Sequence, residues 1–526
     1  MLTKVKMICN SYMKNNDAIS FYPINSDQDY SKILRQISTE TVIEHTYNMS
    51  RWLFFNGLSY DNLKKQITEF DAVTGKKIDL TVIVQPWQFA DLIYNSIKYS
   101  NDFRGFNSIT DNAFLMLLSK TNEFLEHKER KVIKSLNGVL DVLLYAYGFA
   151  GEQFKYQNEA LVYHRMIKEL YIIFTLSKKC NSFINPPVII KEETGIDWED
   201  FIIVLFGIYV DSLFHYSINE SFENIYFGKI NNPKEAFEKI VDYYSSSYDE
   251  IRESTLGRQI FYTKPFIKTQ KKGLVSFSVY HNGFIVEHAP FWVLRNHYLK
   301  LDKKCQRLFA SEFGIWFEEY FKEVCEYFGI KPLKIPKREN RKSADWRLNI
   351  GDYTFLIEQK SSIVSLSVKQ QATDLNAYKK MVKETVCYSL EQLSASETDL
   401  KITDPIKIVL CYDDYIDANI LPHVFELCPS VQNDSRYFLA NINEIEMLFS
   451  LLKTDSKLFD SVIKDLLKRN KTKSQDGVSI IDVLRKNNYH DNLFWTNPAF
   501  EEYKRLLFKT KDRHKLFKRY SEDKQD

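Results

Sequence analysis

Apolar residues recur at spacings of three and four through most of the first 300 positions. The runs at 109–149 (ITDNAFLMLLSK to LLYAYGF), 157–178 (QNEALVYHRMIKELYIIFTLSK) and 198–216 show it most plainly. That period puts them on one helical face, so the pattern predicts amphipathic helices packed as a bundle. No fixed-period repeat runs through the region. The most apolar run, FIIVLFGIYV at 201–210, stops at Asp211 and is too short to cross a bilayer. It reads as a buried helix opened by Asp197.

Near residue 300 the texture changes. An amphipathic helix runs through SEFGIWFEEYFKEVCEYFG, with Phe309, Phe313, Phe317, Phe321, Val324 and Phe328 on one stripe and Gly329 as its stop. Strand signals follow at 333–335 (LKI), in DWRLNI and YTFLIEQK, and later at 405–412 (PIKIVLCY) and 436–440 (RYFLA). A long helix over about 372–396 and a short one near HVFEL separate the later strands. Helix, three strands, helix, strand, short helix, strand is an α/β sandwich pattern. Beyond 443 the pattern is helical again and ends in a basic tail. The chain thus divides into a mainly helical, all-α module at 1–300, an α/β domain at 301–453 and a helical extension at 454–526.

Composition narrows the reading only a little. A chain of 526 residues with 29 Gly plus Pro favours long helices and sparse turns, and a formal charge of +2 names no acidic partner by itself. Seven cysteines without a CxxC pair argue against a zinc ribbon, a redox dithiol or a disulfide scaffold. They point to a reducing, cytoplasmic setting, and MLTKVKMICNSYMKNNDAIS lacks the apolar core of a signal peptide. TGKK at 74–77 lacks the first glycine and the Ser/Thr of a Walker A loop, GxSxG and HExxH are absent, and His281 and His288 read as lone core or surface histidines.

The candidate chemistry lies in SADWRLNIGDYTFLIEQKSS, 343–362. Gly351-Asp352 suits a two-residue II′ turn, which pairs residues whose numbers sum to 703. Trp346, Leu348, Ile350, Tyr353, Phe355 and Ile357 then share one face, and Asp345, Arg347, Asn349, Thr354, Leu356, Glu358 and Lys360 share the other. Asp345 falls opposite Glu358. Two carboxylates about 5 Å apart at their β-carbons repel unless something compensates. A divalent cation such as Mg²⁺ or Mn²⁺ is the natural compensation, with Lys360 beside it to orient a water or stabilise charge on a phosphate. The bland alternative is a wet face of an amphipathic hairpin.

At these residues the chain resembles the PD-(D/E)XK phosphodiesterase superfamily, over about 305–453. Asp345 corresponds to the first acid and Glu358 with Lys360 to the E-x-K, while Ala344 stands where the motif has proline. The resemblance implies a restriction-endonuclease-like core (α-β-β-β-α-β), a Mg²⁺ or Mn²⁺ held by Asp345 and Glu358, and Lys360 assisting the attacking water. It also implies a helical glutamate, matched by Glu318 in FGIWFEEYF, where Glu319 and Glu323 keep a solvated-face reading open, and a polar residue at Gln392.

Basic residues supply the substrate argument. KPLKIPKRENRKSADWR, 331–347, holds seven Lys or Arg against two acids, and 504–519 holds eight against one. Lys337, Arg338, Arg341, Lys342 and Arg347 are therefore the expected phosphate contacts. The partner is nucleic acid, DNA ahead of RNA, although no base-reading motif separates the two. No membrane partner is expected, and the helical module is a candidate surface for oligomerisation or a partner protein. A nuclease core joined to such a module resembles effectors of bacterial anti-phage defence or restriction. The reading is a metal-dependent nuclease; an inactive nuclease-like binding or scaffold protein is its alternative.

Overall fold

In this computed structural model, residues 19–503 are described apart from 57–83, 85, 104, 155–160, 219–229, 231, 338–341, 362–374, 413–415, 417, 433, 473–477, 488 and 490–496. The expected basic tail and TGKK therefore lie outside the described residues, as do Arg338 and Arg341. The architecture is mixed α/β, mostly helical, with two small sheets. No helix among the described residues is long and apolar enough to cross a membrane.

Chain contacts form two compact units, one from residues up to 136 with 194–287, the other from 137–193 with 288 onward. The helices at 137–193, read from sequence as part of the N-terminal module, thus belong with the α/β sheet. The run 109–149 accommodates this by breaking: Asp111–Ile133 ends, Gly138 turns at φ 93°, and Val139–Phe154 begins. Positive φ there suits a residue without a β-carbon.

The first unit is helical but not all-α. It holds a three-stranded sheet, β1 (Ser245–Ser247), β2 (Phe266–Thr269) and β3 (Gly273–Ser276), with β1 parallel and β3 antiparallel to β2. Strands of three or four residues, SSS, FIKT and GLVS, are too short to show a period. Trp198–Ser212 is the buried helix expected from the long apolar run, with Asp197 at its N-cap position.

The second unit centres on a five-stranded sheet in the order β4 (Leu333–Lys334), β5 (Trp346–Ile350), β6 (Tyr353–Lys360), β7 (Ile406–Cys411) and β8 (Tyr437–Asn441). The β4–β5 and β5–β6 pairs are antiparallel, and β6–β7 and β7–β8 are parallel. Before it runs α1 (Lys303–Tyr327), whose stripe from Phe309 to Phe328 is buried throughout. Gly329 ends α1 at φ 78°, with Ile330 N donating to Cys325 O and Gly329 N to Glu326 O, the paired bonds of a Schellman cap.

Helices cover both sheet faces. On one, Phe355, Ile406, Ile408 and Phe438 share an apolar crevice with Leu448, Ile463, Leu466 and Ile480, while Trp346 packs on Phe321 of α1. On the other, Leu356, Val409 and Leu439 meet Tyr378, Val382, Val386, Leu390 and Leu393 of α2, the helix over 375–399. The face that carries the acids is therefore not simply wet. Its Leu356 is fully buried, because α2 closes over it.

Cys387 of α2 and Cys428, just past the helix Leu421–Leu427, form a disulfide with Cα atoms 5.7 Å apart. No sequence signal marks this pair: spacing in the chain hides a contact made only when β7 brings the two helices side by side.

Burial on this face makes Leu356→Ala costly, about 2–5 kcal/mol, while Asn349→Ala at an exposed position of the same face stays within about 0.5 kcal/mol. Urea unfolding followed by circular dichroism measures both. Equal midpoints would place the Leu356 face in solvent.

Candidate functional site

Gly351, at φ 56°, opens the hairpin turn, and Asp352 is not among the residues with positive φ, as a II′ turn requires. Trp346 pairs with Ile357, Leu348 with Phe355 and Ile350 with Tyr353, so the register sums to 703 throughout. Asp345 lies one residue before β5, where the regular pairing ends: its N–H donates to Ile357 O at 3.0 Å, a sum of 702, so Asp345 and Trp346 both face Ile357, as at a bulge. The expected direct pairing with Glu358 is thus displaced by one residue, although the two carboxylates remain close enough to interact.

Both carboxylates are out of water, Asp345 at 5% and Glu358 at 3% exposure. Asp345 Oδ2 accepts from Gln359 N at 2.9 Å, a backbone bond that fixes the carboxylate over β6. Lys360 Nζ donates to Glu358 Oε1 at 2.7 Å and to Gln392 Oε1 of α2 at 3.1 Å. Glu358 Oε2 is buried with no hydrogen-bond partner among the described residues. Burial and then the neighbouring Asp345 charge push the Glu358 carboxyl up to about 8, against the pull of Lys360.

Glu318, on the exposed side of α1, reaches the acids only through an intermediary. Lys334 of β4 donates to Glu318 Oε2 at 2.6 Å, lies 3.4 Å from Asp345 Oδ1, and sits 4.5 Å above the Trp346 ring. Lys334 is the site residue that sequence reasoning missed. Its place follows from the Lys334–Trp346 pairing, and the ten residues between β4 and Asp345 offer no turn signal that fixes that register. Gln359 was missed too. Its amide bridges Trp346 Nε1 and, at 3.3 Å, Phe317 O of α1, joining the hairpin to the helix that bears Glu318.

Of the expected phosphate contacts, Lys337 is exposed, Lys342 pairs with Glu391 of α2, and Arg347 is half-buried with its Nε lacking a hydrogen-bond partner among the described residues. The two histidines noted in the sequence take no part. His281 is buried among Tyr262, Phe277 and Phe284, which drives its imidazole down to about 3, and His288 bonds Glu169 at 2.6 Å.

The pair Asp345–Glu358 suits a hard divalent cation in one specific respect. A buried oxygen with no donor from Lys360 or the backbone, and a carboxyl kept protonated by burial first and by the neighbouring Asp345 second, are what such a charge would relieve. Among the described residues no three His, Cys, Asp or Glu side chains converge in a metal-holding group. A cation here would complete its shell with backbone carbonyl and water oxygens.

The raised Glu358 carboxyl sets a pH dependence. Between pH 4.5 and about 8 the folded protein holds a proton that the unfolded chain releases, so this group lowers stability as pH rises through that window. Glu358→Gln cannot ionise. In metal-free buffer its melting temperature therefore gains on the wild type progressively across the window, measured by calorimetry, and parallel curves would refute the raised carboxyl.

No protein-family model, curated protein or solved structure matches this chain.

Proposed function

We propose that the sheet unit is a metal-dependent nuclease of the PD-(D/E)XK type, hydrolysing phosphodiester bonds of nucleic acid, DNA ahead of RNA. The observation that carries this reading is the buried Asp345–Glu358 pair on adjacent strands, with Lys360 two residues on and an unpartnered Glu358 Oε2. The order α1, β4-β5-β6, α2, β7 agrees with the restriction-endonuclease-like core that the sequence resemblance implies. Asp345 and Glu358 would hold Mg²⁺ or Mn²⁺, which when bound polarises the phosphate and activates water. Lys360, steadied by Gln392, is set to orient that water or to stabilise charge on the phosphate under attack. Lys337 and Lys342 offer cationic contacts to the substrate backbone, whereas the Nε of Arg347 is buried and does not face a substrate strand.

One observation favours the second reading, an inactive nuclease-like binding or scaffold protein. Lys360 on Glu358 and Lys334 on Asp345 already neutralise the acids within the chain. Metal binding separates the two readings, since an inert scaffold has no reason to take Mn²⁺ at Asp345.

Asp345→Asn and Lys360→Met should each slow Mg²⁺- or Mn²⁺-dependent cleavage of DNA by roughly 100-fold or more, in variants that circular dichroism shows to be folded at the assay temperature. Cleavage at wild-type rates in either variant would remove the site assignment. A wild type that neither cleaves nor binds Mn²⁺ by calorimetric titration would favour the scaffold. In binding assays, Lys337→Ala and Lys342→Ala should each reduce the slope of log affinity against log salt by about one. Unchanged slopes would move the backbone contacts elsewhere.

A further inference from the structure

The segment that delivers Asp345 is fastened to α2 at three successive points. Lys342 pairs with Glu391, Ser343 O accepts from Gln392 Nε2 at 3.0 Å, and Ala344 N donates to Ser396 Oγ at 2.7 Å. Glu391 is itself steadied by Ser430 Oγ at 2.7 Å. These bonds make the exposed side of α2 a fixed wall beside the acids.

Tyr388 stands on that wall. The apolar side chains of α2 that face the sheet, from Tyr378 to Leu393, are buried, yet Tyr388 is 54% exposed. It follows directly on the π-helical turn Lys383–Cys387, a form that recurs at functional positions. Its neighbour Cys387 is tied to Cys428, so the backbone beneath the ring is held. Lys342 Nζ lies 5.0 Å from the ring centroid. Tyr388 is one helical turn, about 6 Å of rise, from Gln392, whose Oε1 accepts from Lys360 at 3.1 Å.

A rigid exposed aromatic beside a cation is the combination that takes the face of a nucleobase and the phosphate next to it. A duplex keeps its base faces stacked inside, so such a ring serves only bases that are unpaired or turned out. We propose that Tyr388 and Lys342 form a base-stacking platform, and that the substrate is single-stranded nucleic acid or a strand with an unpaired nucleotide beside the cut. This rests on the nuclease reading, in which Asp345, Glu358 and Lys360 are the reacting centre. Stacking is blind to sugar type, so DNA and RNA share this chemistry.

The test measures binding apart from cleavage. Fluorescence anisotropy of the full chain in EDTA, with labelled 12-nucleotide oligothymidylate, oligouridylate and a 12-base-pair duplex, reads affinity for each. Tyr388→Ala should weaken binding of the preferred single strand by roughly tenfold, Tyr388→Trp should restore it, and duplex affinity and melting temperature should stay near wild type. The stronger of the two single-strand signals identifies the sugar. Wild-type affinity in Tyr388→Ala, equal losses for duplex and single strand, or a wild type that binds neither oligonucleotide would each overturn the platform. Tyr388-dependent binding without cleavage under any metal would leave the platform and refute the nuclease. Metal-dependent cleavage that Tyr388→Ala leaves intact, with unchanged binding, would do the reverse.

Discussion

Asp345 and Glu358 are carboxylates held out of water on neighbouring strands, and burial first, then the Asp345 charge, makes Glu358 harder to ionise. Left alone, that arrangement opposes folding of the hairpin that contains it. The surroundings answer it in pieces: Gln359 N satisfies one oxygen of Asp345, Lys334 approaches the other, and Lys360 takes one oxygen of Glu358. Only Glu358 Oε2 is left over. An apolar pair at these two positions would pack against α2 with none of this machinery, and buried ionic groups are weak sources of stability. The arrangement is therefore a cost to folding, which under the proposed function would be retained for chemistry.

The rest of the second unit keeps that pair in place. The six apolar residues of the hairpin are committed to the face toward α1 and the C-terminal helices, and this commitment forbids a one-residue slip that would carry the acids to the other side. From the opposite side α2 closes over Leu356 and, through Ser396 and Gln392, straps the segment leading into Asp345. Gly314 shows how tight the remaining approach is. A β-carbon there would lie 3.3 Å from Ser361 Oγ, one residue past Lys360, so a side chain at that position would require Ser361 to shift by a few tenths of an ångström where α1 passes the end of β6.

What could be read from the sequence was what local rules determine. Turn chemistry at Gly351 and a period of two on both strands set the register of β5 and β6 from Trp346 to Ile357, while the one-residue shift at Asp345, whose N–H bonds Ile357 O, has no signal in the alternation. The same logic could not place Lys334, since no turn rule spans the stretch between it and Asp345. Nor could it show that Leu356 is covered, because alternation names two faces without saying what lies on each. The helices of 137–193 illustrate the limit at larger scale: an amphipathic stripe announces that a helix is packed, while its partner depends on tertiary contact alone. Cys387 and Cys428, 41 residues apart, are hidden for the same reason.

Charge balance links the acids to the basic wall beside them. Asp345, Glu358 and Glu318 oppose two ammonium groups, Lys334 and Lys360, so the cluster is within one charge of neutral and has little attraction for a phosphate on its own. The raised Glu358 carboxyl brings it closer still to neutrality near pH 7. A divalent cation would turn the balance positive while displacing the Glu358 proton, and the site would then attract the anion it is to cut. On the proposed reading, substrate binding at the acids would be conditional on metal, whereas Lys342 and Tyr388 sit outside the cluster and would need no metal to engage a strand. The two surfaces would then divide the work of holding the strand and of reacting with it.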